Sequence, residues 1–255
     1  MTRLSINLNK IALIRNARDS RHPDPAEFAQ LVVAAGAHGI TVHPRPDQRH
    51  IRASDCVVLG ETRTTELNLE GNPFAGSRRS DREGVADYPG FLALVERVRP
   101  DQVTLVPDGD AQLTSDHGFN ISHEGEALRP IIEQLKSWGC RVSLFMDPDP
   151  EQIALVGGLG ADRIELYTES YAKAHARGLR DDALSRFQAA AAAATAAGLG
   201  INAGHDLNLA NLPDFRIADL LEVSIGHAFT IDALRFGIDE AIRLYLSALA
   251  AAQTD

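Results

Sequence analysis

Short β-rich segments alternate with helix-forming stretches along nearly the whole chain, and this alternation is the feature that most limits the possible folds. Strands that alternate with helices form βαβ units and hence a parallel sheet. Eight such strands in about 250 residues predict an α/β fold, a (β/α)8 TIM barrel with extra helices. A doubly wound open sheet is the alternative, but no GxGxxG motif follows the first strand. The predicted strands are 4–8, 39–43, 65–70, 102–107, 141–146, 163–168, 199–205 and 221–227.

The segments between these strands predict the helices that surround the barrel. Six consecutive alanines at 189–194 indicate helix, because Ala is the best helix former. Gly198 follows them at the position where a C-terminal cap is expected. The predicted helices are 25–35, 88–98, 124–138, 150–158, 181–197 and 229–252.

The chain of 255 residues is expected to form one domain, residues 1–255, because α/β barrels of about 250 residues routinely do so. Residues 71–88 are the one linker-like segment. We interpret them as a mobile loop at the mouth of the third strand and not as a domain boundary.

The charge balance limits the partners of the protein. A net charge of −10 argues against a broad surface for nucleic acid or for anionic membranes. The charge is unevenly distributed, since residues 1–52 carry +4 and the remaining residues carry −14. The first two strand–loop units are therefore a candidate region for binding anions.

The cysteines and the N-terminus indicate the compartment. Cys56 and Cys140 are far apart and form no CxxC motif, so reduced structural thiols are expected. The first 16 residues lack an apolar core typical of a signal peptide, and no uninterrupted apolar stretch approaches the length of a membrane span. These patterns predict a cytoplasmic protein.

Alternation within the strands locates a candidate active site. In ITVH the apolar Ile40 and Val42 share one face, and Thr41 and His43 share the other. Polar strand faces of this kind are expected to point into the barrel lumen. His43, Glu70 and His205 all fall at carboxyl-terminal strand ends, where barrel enzymes carry their chemistry. Histidine and a desolvated carboxyl group can exchange protons near neutral pH, so the three form a candidate acid–base set.

Phosphate is the ligand that the surrounding residues favour. The loops after strands seven and eight contain Gly204 and Gly226, which allow close approach of the backbone to an anion. Guanidinium groups suit phosphate oxygens, and several basic residues follow the first two strands. These residues are Arg15, Arg18, Arg45, Arg49, His50 and Arg52.

Metal binding is a competing interpretation, because the chain has nine histidines. No HxH or HExxH motif is present, which counts against a metal site. A site of two histidines and a carboxylate assembled from separate strands remains open on spacing alone.

Ordered motifs from one end of the chain to the other resemble those of the pyridoxine 5′-phosphate synthase family. They begin with Asn7-Leu8-Asn9-Lys10 and the following Ile14–Arg18. They continue through residues 39–52, 68–70, LVPD with Thr114, 142–147, 164–168, 202–207 and 224–228.

The resemblance implies a (β/α)8 barrel assembled as a homo-octamer. It implies condensation of 1-deoxy-D-xylulose 5-phosphate with 3-amino-2-oxopropyl phosphate to give pyridoxine 5′-phosphate, with release of phosphate and water. It implies neither a metal nor an organic cofactor, and it places His43, Glu70 and His205 among the acid/base residues. The substrate-contacting positions that it implies are Asn7, Arg18, Arg45, His50, Thr114, Gly226 and His227.

The chain departs from the family pattern at three places. Asn9-Lys10 stands where many members have Asp-His, Asp206 stands where glycine is frequent, and residues 71–87 look longer than the usual connection. Lys10 is expected to replace a histidine donor to the deoxyxylulose phosphate, with Asp206 as its partner. We therefore include Asn9, Lys10 and Asp206 among the candidate substrate-binding residues.

Two other functions remain open from the sequence. One is another sugar-phosphate barrel enzyme, an isomerase or an aldolase. A Schiff-base aldolase needs a lysine at a strand end, and besides Lys10 the chain has only Lys136 and Lys173. The other is a phosphosugar-binding paralogue without catalytic activity, which the changes at Lys10 and Asp206 suggest.

Overall fold

Eight parallel strands close into a barrel in which each strand pairs with its neighbours in chain order, and β8 returns to β1. The structure is a computed structural model that describes residues 1–18, 20–109 and 112–253. The predicted (β/α)8 fold is confirmed. The strands are β1 (Arg3–Asn7), β2 (Gly39–Val42), β3 (Glu66–Gly71), β4 (Gln102–Leu105), β5 (Arg141–Met146), β6 (Arg163–Tyr167), β7 (Gly200–Gly204) and β8 (Leu220–Ile225).

The helices cover the outside of this barrel, and β7 is followed by a short 3-10 helix, Leu212–Asp214. They are α1 (Asn9–Asn16), α2 (Pro25–Ala34), α3 (Ala53–Thr62), α4 (Phe91–Val98), α5 (Ile121–Ser137), α6 (Pro150–Val156), α7 (Glu169–Ala176), α8 (Arg180–Ala196), α9 (His227–Phe236) and α10 (Ile238–Ala252). No described helix has the length and apolar character needed to cross a bilayer.

Helices α1, α3 and α7 are not predicted from the sequence, and the single predicted helix 229–252 is in fact two helices, α9 and α10. Neither α1 nor α7 has a side-chain N-cap hydrogen bond, so each lacks a familiar start signal. The predicted helix 229–252 is interrupted at Gly237, whose φ of +84° breaks the helix. Gly198, with a φ of +75°, follows α8 as expected.

The two faces of each strand have the orientation that the alternation predicts. The apolar side chains of β1 to β3 are buried against the surrounding helices. The opposite side chains meet inside the lumen, where Ser5 Oγ lies 2.8 Å from Thr41 Oγ1 and Thr104 Oγ1 donates to Asn68 Oδ1 at 3.1 Å. Hydrogen bonds between neighbouring strands thus satisfy these four side chains.

Charged side chains fill the lumen at the amino-terminal end of the strands. Arg141 pairs with Glu66, and Arg3 Nη1 lies 3.1 Å from the other oxygen of Glu66. Burial, followed by the nearby Glu66, raises the pKa of Glu222 to about 7. The polar groups at the carboxyl-terminal end therefore form a separate layer, to which the candidate residues belong.

Helix α1 fastens the segment that follows β2. The buried guanidinium group of Arg15 donates to both carboxylate oxygens of Asp55, at 2.7 and 2.9 Å, and to the carbonyl oxygen of His50 at 3.1 Å. Asn16 Nδ2 donates to the same carbonyl at 2.7 Å. The loops after the first two strands are thus joined by side chains of one helix.

The segment 71–88 is tied to the rest of the barrel. Arg78 and Tyr88 exchange backbone hydrogen bonds of 2.9 and 2.8 Å, and the Tyr88 side chain is buried. Gln48 Nε2 donates to the carbonyl oxygen of Ala86 at 2.7 Å. The mobility of the segment 71–88 and the assignment of the chain to one domain stay predictions.

Candidate active site

A cavity of about 830 Å³ opens at the carboxyl-terminal ends of the strands and brings together nearly all of the predicted site residues. One predicted residue is elsewhere, since Arg18 is exposed beyond the end of α1 and does not line this cavity. The predicted residues that do line it are Asn7, Asn9, Lys10, His43, Arg45, His50, Glu70, Thr114, His205, Asp206, Gly226 and His227.

His43 and Glu70 lie side by side on neighbouring strand ends. His43 Nδ1 is 3.7 Å from Glu70 Oε2, and both side chains are buried. Burial, followed by the positive charge of Arg45, lowers the pKa of His43 well below 6.5. Burial, followed by the negative charge of Asp108, raises the pKa of Glu70 to about 8. At neutral pH a neutral imidazole therefore stands next to a protonated carboxyl group, a proton acceptor beside a donor.

Arg45 is held in place by a buried carboxylate. Its Nη2 donates to Asp108 Oδ2, and its Nη1 donates to the carbonyl oxygen of Gln112 at 3.0 Å. Ser115 Oγ donates to the same Asp108 oxygen at 3.0 Å. Arg45 therefore lines the cavity with its positive charge largely balanced by Asp108. This pairing is not predicted from the sequence.

His205 closes the other side of the cavity in an unusual backbone conformation. Its φ is +72°, which is uncommon for a residue with a β-carbon. The imidazole ring contacts the rings of Phe145 and Tyr167, with centroids at 5.0 and 5.5 Å. Burial, followed by Arg45, lowers the pKa of His205 to about 4, so the ring is neutral at pH 7. Aromatic packing fixes the ring where the backbone turns away from the strand.

The groups suited to phosphate lie on the β1, β2 and β8 side of the cavity. Lys10 stands in the first turn of α1, and His50 follows β2. His227 begins α9, whose first amide groups are free to bind an anion. A β-carbon on Gly226 would lie 3.0 Å from Cβ of Asn7, so glycine permits the close approach of these two strand ends.

Asp206 lines the cavity, but its neighbours differ from the expected ones. Within the part of the chain that the structure describes, Asp206 and Lys10 form no ion pair. Burial, followed by the negative charge of Glu169, raises the pKa of Asp206, while Lys173 acts in the opposite direction. The expected pairing of Asp206 with Lys10 is therefore absent from this structure.

Three acidic residues near the site are not predicted from the sequence. Asp108 follows β4, Glu165 points into the lumen from β6, and Glu169 lines the cavity at the start of α7. Burial and the nearby Glu70 raise the pKa of Glu165 well above 4.5. The alternation and strand-end criteria that select His43 would also have selected Glu165 and Asp108.

The described residues hold no group of three or more His, Cys, Asp or Glu side chains that could bind a metal ion. Cys56 and Cys140 are both free and buried, as expected for structural thiols.

A closed parallel barrel that carries two histidines, a buried glutamate and cationic groups in a cavity at its carboxyl end is typical of an enzyme of the (β/α)8 class. The family model described as pyridoxal phosphate biosynthesis protein PdxJ matches residues 4–251, and the chain belongs to this family.

Curated relatives agree with this assignment. The pyridoxine 5′-phosphate synthase of Xanthomonas campestris pv. campestris (strain B100) is 54% identical over 258 residues, covering 99% of this chain and 98% of the relative. The Xylella fastidiosa (strain 9a5c) enzyme of the same name is 51% identical and covers 97% and 95%.

Among solved structures, the match to KGPDC from Streptococcus mutans covers 100% of both chains, with a TM-score of 0.62 at 9% identity. The 3-hexulose-6-phosphate synthase from Salmonella typhimurium covers 99% of this chain and 100% of the other, with a TM-score of 0.61 at 16% identity. Both share the fold alone with this chain.

The raised pKa of Glu70 predicts a specific pH dependence of stability. Between pH 4.5 and 8 the folded protein keeps a proton on Glu70 that the unfolded chain releases, so its contribution to stability falls as the pH rises. We expect Glu70→Gln to reduce this fall by up to about 1.4 kcal/mol per pH unit. Urea unfolding from pH 5 to pH 8 at one protein concentration measures the slope.

Glu240→Gln is the matched control, because Glu240 is exposed on α10 and its pKa is lowered by Arg243. This control should retain the slope of the unmodified protein above pH 5. Identical slopes for Glu70→Gln and Glu240→Gln would show that Glu70 does not carry the proton.

Proposed function

We propose that the protein condenses 1-deoxy-D-xylulose 5-phosphate with 3-amino-2-oxopropyl phosphate to form pyridoxine 5′-phosphate, releasing phosphate and water. The observation that carries this proposal is the convergence of His43, Glu70 and His205 on one cavity together with cationic groups. Membership of the family, and similarity to relatives that are pyridoxine 5′-phosphate synthases, support the same reaction.

The proposed chemistry needs several proton transfers at different atoms. An amine adds to a ketone, the carbinolamine loses water, phosphate leaves, and ring closure ends with a second loss of water. Each loss requires a proton on the departing oxygen and removal of a proton from nitrogen or carbon. A set of separate acid and base groups suits this sequence better than a single nucleophile does.

The pKa directions support a division of roles. Glu70, which carries its proton at neutral pH, supplies protons during Schiff-base formation and dehydration. His43, neutral and buried, accepts a proton from the aminoketone. His205 assists the departure of phosphate, because the arriving dianion raises the pKa of a neighbouring imidazole.

Two phosphorylated substrates need two anion-binding regions. Lys10 and His50, with Asn7, Asn9, Arg45 and Thr114, are proposed to hold the deoxyxylulose phosphate. The first amides of α9, with Gly226 and His227, are proposed to hold the aminoketone phosphate, next to Asp206. A contact of Arg18 with substrate also stays a proposal, since Arg18 does not line the cavity.

The direct test supplies both substrates to protein freed of metal by a chelator and looks for pyridoxine 5′-phosphate by mass spectrometry. We expect product, and we expect Glu70→Gln to lower kcat by about 10²- to 10⁴-fold, because it removes the proton donor. Activity that requires added metal would favour a metal-dependent isomerase. A folded protein that binds both substrates and forms no product would favour a paralogue without catalytic activity.

Lys10 tests the binding of the first substrate separately from the chemistry. We expect Lys10→Met to raise KM for 1-deoxy-D-xylulose 5-phosphate about tenfold or more, because one charge-assisted contact contributes about 1.5–3 kcal/mol. The KM for the aminoketone should change far less. The matched control is Lys136→Met, which removes a lysine paired with Asp162 at the opposite end of the barrel. Equal KM values for Lys10→Met and Lys136→Met would contradict the assignment.

We further infer that the protein works as a homo-octamer in the cytoplasm. The resemblance supports the octamer, and exposed apolar side chains on α1 and α9, such as Ile14, Leu234 and Phe236, offer area for self-association. Buried free thiols support a reducing compartment. Light scattering on the purified protein should give eight times the 27.5 kDa chain mass. A monomeric mass at micromolar concentration would contradict the octamer.

A further inference from the structure

Asp108 is a buried carboxylate at the end of β4 to which the proposed chemistry assigns no role. Three groups converge on its Oδ2 atom. Arg45 Nη2 and Ser115 Oγ donate hydrogen bonds to it, and His43 Nε2 lies 3.4 Å away. Asn72 Nδ2 donates to the backbone carbonyl oxygen of Asp108 at 2.7 Å, which fixes the position of the residue.

This arrangement makes Oδ2 of Asp108 an acceptor. Burial raises the pKa of Asp108, and the pairing with Arg45 and the hydrogen bond from Ser115 act against this rise. Because Arg45 and Ser115 both donate to Oδ2, this oxygen has no proton to donate. The nitrogen of His43 that faces it is therefore the one that carries hydrogen. A neutral imidazole has a single N–H, so Nδ1 of His43 is left with a free lone pair, and Nδ1 faces Glu70.

We propose that Asp108 is a positioning residue that selects the Nε2–H tautomer of His43 and directs the lone pair of Nδ1 toward Glu70. The role of this tautomer in catalysis rests on the proposed function. In the step that it prepares, Glu70 accepts the proton of the aminoketone while its own O–H bond breaks and an N–H bond forms at Nδ1, which leaves Glu70 protonated and His43 as imidazolium. The reverse transfer restores both groups, and Asp108 stabilises the imidazolium through Nε2–H.

Other charged and titratable groups also act on this pair. Arg45, His50, His205 and Arg49 oppose a positive charge on His43. Asp108 and Glu222 oppose a negative charge on Glu70, whereas Arg45 favours it. Burial, followed by the negative charge of Glu70, raises the pKa of Glu165, which also lies in the lumen. Asp108 is the group among these that lies at ion-pair distance from His43 Nε2.

The tautomer can be observed without measuring activity. Neutron diffraction from deuterated crystals of the unmodified protein at pH 7 locates the deuteron on His43. We expect it on Nε2, with Nδ1 bare. A deuteron on Nδ1 alone would overturn the proposal. Because this measurement needs no substrate, it separates the tautomer from the reaction: a bare Nδ1 in a protein that forms no product would contradict only the proposed function.

Asp108→Asn tests the consequence in catalysis. We expect kcat to fall by at least about 10²-fold, since a wrong tautomer of a catalytic histidine is costly, and KM to change by less than kcat. Loss of the negative charge facing Glu70 lowers the pKa of Glu70, so the limb of the kcat/KM profile that reports this group should move to lower pH. A merely structural defect would reduce the amount of active protein without moving the limb.

Asp162→Asn is the matched control, because Asp162 pairs with Lys136 and accepts the Val142 N–H at the far end of the barrel. Its pH profile should match that of the unmodified protein. A folded Asp108→Asn protein with unchanged kcat and an unmoved limb would overturn the proposal. Should this variant fail to fold, the diffraction measurement on the unmodified protein decides the question.

Discussion

The site depends on the burial of carboxyl groups away from water. Glu70, Glu165 and Glu222 are buried in the lumen, and burial is the largest cause of the raised pKa of each. A carboxyl group that keeps its proton at neutral pH can act as an acid, which a solvated glutamate cannot do at that pH. Asn7 Nδ2 donates to Glu70 Oε2 at 3.4 Å, whereas Oε1 of Glu165 is buried without a hydrogen-bond partner among the described residues, and the helices outside supply the apolar packing.

Nearby charges of opposite sign then give neighbouring side chains different protonation states. Arg45 donates to the Asp108 oxygen that also faces His43, and its charge adds to the effect of burial in lowering the pKa of the imidazole. Burial raises the pKa of Asp108, and the charge of Arg45 acts against this rise. A protonated acid, a neutral base and an anion thus occupy adjacent strand ends within one small volume. Such separation of protonation states at one pH is a general property of acid–base active sites.

Much of the fold and part of the site follow from the chain alone, for identifiable reasons. Period-two alternation in ITVH and ELNLE specifies which side chains enter the lumen, and strand-end position brings His43, Glu70 and His205 together. The pattern does not predict α1 because no side-chain cap marks its start at Asn9, and it does not separate α9 from α10 because a single glycine lies between them. The pairing of Arg45 with Asp108 joins residues 63 positions apart, and no local pattern encodes such a contact. Asp206 and Lys10 were paired on charge alone, a criterion that ignores the position of Glu169.

The clamp that Arg15 and Asn16 form on the segment after β2 has a consequence for the entropy of ligand binding. Two proposed binding elements, helix α1 with Lys10 and the segment after β2 with His50, are joined by hydrogen bonds made when the chain folds. They therefore form a single rigid body, and an arriving phosphate does not have to order one against the other. Conformational freedom that would otherwise be lost on association has already been lost in folding, so more of the contact energy is available as affinity.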